Sequence, residues 1–75
     1  MRTWLVDIRK SKELNQYEAA DLARMSQSYY AAIEVDARQK DMDISIMEKL
    51  AAAFEISIQE IVKAESKYRA ERNSA

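Results

Sequence analysis

A chain with no glycine and no proline among its 75 residues has few ways to turn sharply. Tight β-hairpins draw on Gly or Asn for positive φ, and only two Asn are present. Ala, Glu, Lys, Leu, Met and Gln recur throughout, and all are good helix formers. The expected fold class is therefore all-α. The length leaves room for one small domain with a modest core.

The chain also lacks cysteine and histidine. That excludes disulfides, thiol catalysis, zinc-finger ligation and imidazole acid–base chemistry. Without Gly there is no glycine-rich phosphate loop, and the acids and lysines show no nucleophile–base or metal-ligand arrangement. The expectation is a protein that is not an enzyme, with no cofactor and no small-molecule substrate. No apolar run approaches the ~18 residues of a membrane span, and residues 1–7 do not read as a signal peptide. A cytoplasmic location without membrane contact follows as an expectation.

Caps and apolar spacing place five helices. The first covers about 4–12, with Thr3 as N-cap, an inner face of Trp4, Leu5 and Ile8, and Arg9, Lys10 and Lys12 on the rest. The second follows Asn15, with Glu18 completing a capping box; Ala19, Ala20 and Ala23 suit close helix approach. The third, about 27–35, follows Ser26 and turns Tyr30 and Ile33 inward. Residues 36–42 form a polar loop. The fourth follows Asp43 with a stripe of Ile44, Met47, Leu50, Ala51 and Phe54. The fifth follows Ser57, again with a capping-box Glu60, and buries Ile58, Ile61 and Val62. Residues 1–66 form the domain; 67–75 are a charged helical extension or tail, with 73–75 frayed. Helices two and three, separated by about three residues, make a helix-turn-helix.

The run over residues 14–34 resembles the signature of Xre/Cro-like, lambda-repressor-like regulators: Leu14, Gln16, Ala20, Met25, Ser26, Tyr30, Ile33 and Glu34 fall in register. Leu50-Ala-Ala-Ala-Phe-Glu-Ile-Ser-Ile-Gln-Glu-Ile is similar to the family's fourth and fifth helices. The opening residues with Ser28-Tyr-Tyr resemble small regulators of phages and mobile elements. Three departures concern turns. Arg24 stands where the family often has Gly, Val35-Asp36 where Gly follows the Glu, and Asp41 or Met42 where Pro precedes helix four. Arg24 must then either adopt positive φ at a cost or reshape its turn.

The resemblance implies a compact five-helix domain whose third helix enters the major groove of double-stranded DNA. Gln27 is the best base reader, since its amide matches adenine bidentately. Ser28, Tyr29, Ala31 and Ala32 are further base-facing candidates. Gln16 would hold a phosphate at the start of helix two. Arg38 and Lys40 are the leading phosphate cations, with Arg24 and Lys12 as others. A homodimer reading a palindromic operator is expected, joined through Ile58, Val62 and Tyr68. The function implied is a sequence-specific transcriptional repressor of phage or mobile-element type. The alternative is a protein-interaction module, an antitoxin or adaptor on the same fold.

Charge is the objection to DNA binding. The formal net charge is −1, against the basic balance usual for such proteins. Glu34, Asp36, Asp41 and Asp43 crowd the region of the reading helix and its following loop, where free carboxylates would repel phosphate.

Overall fold

The computed structural model describes residues 1–73. Five helices follow in order: α1 Thr3–Ser11, α2 Gln16–Leu22, α3 Gln27–Glu34, α4 Ile44–Phe54 and α5 Ile58–Asn73. There are no strands among the described residues. The all-α expectation holds, with the five helices where caps and spacing put them. Asn15 and Glu18 form the full capping box on α2. Ser26 accepts from the Tyr29 amide, Asp43 from Ile46 and Ser57 from Glu60, so α3, α4 and α5 each begin on a side-chain cap. Each such cap is worth about 1 kcal/mol.

Two boundaries differ. Thr3 is the first residue of α1, and Arg2 occupies its N-cap without a side-chain cap bond. Arg2 takes that place because its carbonyl already accepts from the Leu5 and Val6 amides at 3.0 and 3.3 Å, while its own amide donates to the Glu34 carbonyl at 2.7 Å. The last helix runs unbroken through residue 66 to Asn73, so Asn73 is helical; residues 74 and 75, expected to fray with it, lie outside the described residues.

The turns show how a chain manages without glycine. Helices α1 to α4 all end in the same pair of reversed hydrogen bonds, six-to-one and five-to-two. For α1 these are Leu14 N–H to Arg9 O at 3.2 Å and Glu13 N–H to Lys10 O at 2.9 Å. For α2 they are Met25 to Ala20 at 3.0 Å and Arg24 to Asp21 at 3.1 Å. The pairs Ala37 to Ala32 and Asp36 to Ile33 end α3; Ile56 to Ala51 and Glu55 to Ala52 end α4. This motif places one residue in the left-handed region, usually Gly. Here Glu13, Arg24, Asp36 and Glu55 occupy it, at φ of 58°, 58°, 64° and 55°. Arg24 thus adopts positive φ, and the turn keeps its shape. Left-handed conformation costs a non-Gly residue roughly 1–2 kcal/mol. The apolar residue that follows offsets it in three cases, since Leu14, Met25 and Ile56 all pack against the core.

The core is built from all five helices. Leu5, Tyr30, Ile33, Leu50, Phe54 and Ile61 are essentially inaccessible to solvent. Ala19, Ala20 and Ala23 are buried as well, which lets α2 lie close to its neighbours. The α4 stripe differs from its expected form. Ile44 is 68% exposed, and Ile46 and Ala53 are buried beside Met47, Leu50, Ala51 and Phe54. Ile44 opens the helix, where the side chain reaches past the core instead of into it. Val62 is likewise exposed, whereas Ile58 packs partly against the core. Met42, within the expected polar loop, is buried and ties that loop to the core.

Candidate nucleic-acid interface

The second and third helices meet through a short turn, with Ala23 closing α2 and Ser26 opening α3. Their N-termini are linked directly. Gln27 Nε2 donates to Gln16 Oε1 at 3.2 Å, and Gln16 Nε2 donates to Glu34 Oε1 at 2.9 Å. Glu34 is buried on the inner side of α3 and takes the Arg9 guanidinium on its other oxygen, Nε to Oε2 at 2.7 Å. Burial opposes ionisation of Glu34, but hydrogen bonds from Arg9 and Gln16 outweigh it and hold its carboxyl below the ordinary range. Burial, then the Glu34 carboxylate, push the Tyr30 phenol far above its usual range.

This chain of donors fixes an orientation. An ionised carboxylate only accepts, so Gln16 must turn its amide nitrogen to Glu34 and its oxygen to Gln27. Gln27 then spends one N–H on Gln16 and keeps its own oxygen and second N–H. Its side chain is exposed at the start of α3, with Ser28 beside it. Ala31 and Ala32 are half-buried. Tyr29 is half-buried too, packs against the core, and accepts a hydrogen bond from Gln39 at 2.7 Å. A shallow hollow of about 160 Å³ lies beside Gln27, lined by Tyr17, Ala20, Asp21, Met25 and Ser26.

The cations expected at the phosphates are all exposed. Arg24 and Lys12 are exposed on turns, and Arg38 and Lys40 are exposed on the loop after α3. Arg38 and Lys40 give their carbonyls to Arg2 and Arg72 respectively. Ile58, Val62 and Tyr68 lie along α5, but Tyr68 turns inward: its hydroxyl donates to Asp36 at 2.9 Å, and its ring lies 5.7 and 5.6 Å from the Arg2 and Arg72 guanidinium carbons.

Each acid expected to repel phosphate is engaged within the fold. Glu34 is paired with Arg9, Asp36 with Arg72 at 3.0 Å, and Asp41 with Arg69 at 3.1 Å, while Asp43 caps α4. Burial works against ionisation of Asp36; hydrogen bonds from Tyr68 and Arg72 and the charge of Arg2 overcome it, leaving its carboxyl below the usual range. The backbone amide of Ile46 lowers Asp43 similarly.

Sequence reading missed the buried charges. Arg9 shares a face with Leu5 and Ile8 instead of facing solvent, and Arg2, Glu34 and Glu65 are fully buried. A signal existed for three of them. Arg9 follows Leu5 by four positions, Glu34 follows Tyr30 by four, and Glu65 follows Ile61 by four. A charge on an apolar helical stripe requires a buried partner. Arg2 precedes the first helix and carries no such periodicity.

Residues 5–61 match a family described as helix-turn-helix. No curated protein and no solved structure matches the chain.

Proposed function

The chain belongs to the Xre/lambda-repressor-like helix-turn-helix family, a family of DNA-binding regulators, and on that premise we propose a sequence-specific repressor of phage or mobile-element type. It acts in the cytoplasm on double-stranded DNA, with α3 in the major groove. The observation that carries this reading is the Gln16–Gln27 link, which presents an oriented, exposed amide at the N-terminus of α3. One acceptor and one donor on Gln27 suit the N6 and N7 edge of adenine. Ser28, Tyr29, Ala31 and Ala32 complete the base-facing surface; Gln16, Arg24, Arg38 and Lys40 contact the phosphates that set the register.

A homodimer on a palindromic operator would double so small a footprint, with half-sites about one helical turn apart. The exposed Val62, with Ile58 beside it on α5, is the surface we assign to the contact. Tyr68 lies further along the same helix, half-buried with its hydroxyl on Asp36.

The test is an electrophoretic shift with the DNA upstream of the chain's own gene, at low salt and against a scrambled duplex. A specific shift is expected. Equal affinity for both duplexes, or none, overturns the reading.

One observation favours the second reading, an antitoxin or adaptor. Tyr17 and Leu22 are 72% and 52% exposed on α2, beside a groove also lined by Leu14, Glu18 and Asp21. A stoichiometric protein partner recovered together with absent DNA affinity would select it.

A further inference from the structure

The helix-turn-helix match ends at residue 61, yet α5 continues to Asn73. Its last turns lie against the loop that follows α3. Tyr68 Oη donates to Asp36 Oδ2 at 2.9 Å, and Arg72 Nη1 donates to the same oxygen at 3.0 Å. Arg72 Nη2 donates to the Lys40 carbonyl at 3.3 Å, and Arg69 pairs with Asp41 at 3.1 Å. Arg2, which also lies outside the match, approaches the same loop from the interior. Its Nη1 donates to the Arg38 carbonyl at 3.2 Å and its Nη2 to the Gln39 carbonyl. The carbonyls of three consecutive residues, Arg38, Gln39 and Lys40, are therefore all held by guanidinium groups from outside the matched region.

The loop needs such holding. Asp36 and Gln39 both stand in the left-handed region, at φ of 64° and 57°, which disfavours this path for an unsupported chain. While the carbonyls of Arg38 and Lys40 are tied down, their side chains remain exposed. A backbone fixed before binding spares the ordering entropy that a mobile loop would lose on meeting DNA.

We infer that Arg2 and the end of α5 form a clamp on the 36–42 loop, and that Tyr68 and Arg72 are positioning residues for phosphate contact through Arg38 and Lys40. The inference rests on the DNA-binding reading above. It assigns the extension of α5 a part in affinity, without direct contact between Arg72 and DNA.

The experiment compares the unaltered chain with Arg72→Ala, Tyr68→Phe and Arg72→Lys. Lys67→Ala serves as the control, since it removes the same charge from an exposed site on the same helix. Amide exchange is read in the free proteins, and duplex affinity at two salt concentrations. In Arg72→Ala, exchange at the Ala37 and Arg38 amides, which donate to the Ala32 carbonyl, should rise about tenfold with α4 and the rest of α3 unchanged, reflecting local opening alone. Affinity should fall about tenfold, as for loss of one or two phosphate contacts, whereas Lys67→Ala should lose no more than about threefold. Tyr68→Phe should show the same pattern more weakly, and Arg72→Lys should recover part of the loss. Unchanged loop exchange in both Arg72→Ala and Tyr68→Phe overturns the clamp. Faster exchange with affinity no lower than that of Lys67→Ala overturns the positioning role. If the unaltered chain binds no duplex, the DNA-binding reading fails and the positioning role with it; exchange alone then decides the clamp.

Discussion

Arg2 and Glu65, 63 positions apart, form a two-pronged ion pair from which solvent is excluded. Nε meets Oε1 at 2.9 Å and Nη2 meets Oε2 at 2.9 Å. Trp4 Nε1 adds a hydrogen bond to Oε1 at 3.2 Å, and the Ile33 carbonyl accepts from Arg2 Nη1 at 2.7 Å. One side chain thereby joins α1, α3, α5 and the loop after α3. A buried pair gains little over an apolar replacement, because desolvation offsets the attraction, but losing one partner strands a charge.

Glu65→Gln should therefore destabilise the domain by about 3–5 kcal/mol, the range for an uncompensated buried charge. Replacing both partners, Arg2→Met with Glu65→Leu, should recover little of that loss, because the Ile33, Arg38 and Gln39 carbonyls then lose the guanidinium that satisfies them. Urea unfolding of the two variants checks it. A double variant close to the parent in stability would show that the stranded charge is the whole of the loss.

Acid should unfold the protein through Glu34 and Asp36. Both carboxyls titrate in the folded chain below their ordinary values of 4.5 and 3.8. The unfolded state therefore takes up protons first. The stabilisation is complete above these ordinary values and is lost as pH falls through the depressed folded ones. The urea midpoint should thus hold steady from neutral pH to about 5 and drop below that. Asp36→Asn should begin lower and decline less steeply.

The left-handed helix ends should respond to glycine. Glu55→Gly, remote from α3 in the chain, should stabilise by about 1 kcal/mol, relief of the left-handed strain less the added freedom of the unfolded chain. Arg24→Gly should stabilise similarly yet weaken duplex binding about threefold, the loss of one phosphate contact. Thermal unfolding and a shift titration separate the two effects. A Glu55→Gly variant no more stable than the parent would show that the turn holds no strain.

Base reading and phosphate contact should part company under substitution. Gln27→Ala should relax discrimination at one base pair by about 1–3 kcal/mol. Arg38→Ala should weaken binding to every duplex alike and reduce the salt slope by about 1. Affinities on a set of single-base operator variants, at two salt concentrations, distinguish them. Glu34→Gln, which frees Gln16 to turn over, should disturb the same base position as Gln27→Ala.

The helices were legible because their signals are local. Asn15 with Glu18, Ser26, Asp43 and Ser57 name their own helix starts, and the inward positions of Leu5, Tyr30, Ile33, Leu50, Phe54 and Ile61 repeat at helical spacing. The α2–α3 unit and the exposed Gln27 and Ser28 followed from the same pattern. Thr3 misled because any Ser or Thr before an apolar run reads as a cap; the bond from the Arg2 amide to the Glu34 carbonyl, which anchors the residue that does start the helix, spans 32 positions and leaves no mark in sequence. Tyr68 read as surplus apolar surface for the same reason, since its partner Asp36 lies on a distant loop.

The absence of glycine determined an all-helical chain, because helices need only residues with good propensity and periodic apolar faces, both fixed within a few positions. It did not determine how the chain would turn. Only tertiary structure decided that Glu13, Arg24, Asp36 and Glu55 would stand in the left-handed region, where packing of the next residue or a distant ion pair holds them. It also decided the fate of the charges. Whether an acid repels a phosphate or vanishes into a pair depends on what reaches it through space, and Arg2, Arg9 and Arg72 reach theirs across 25 to 63 positions of chain.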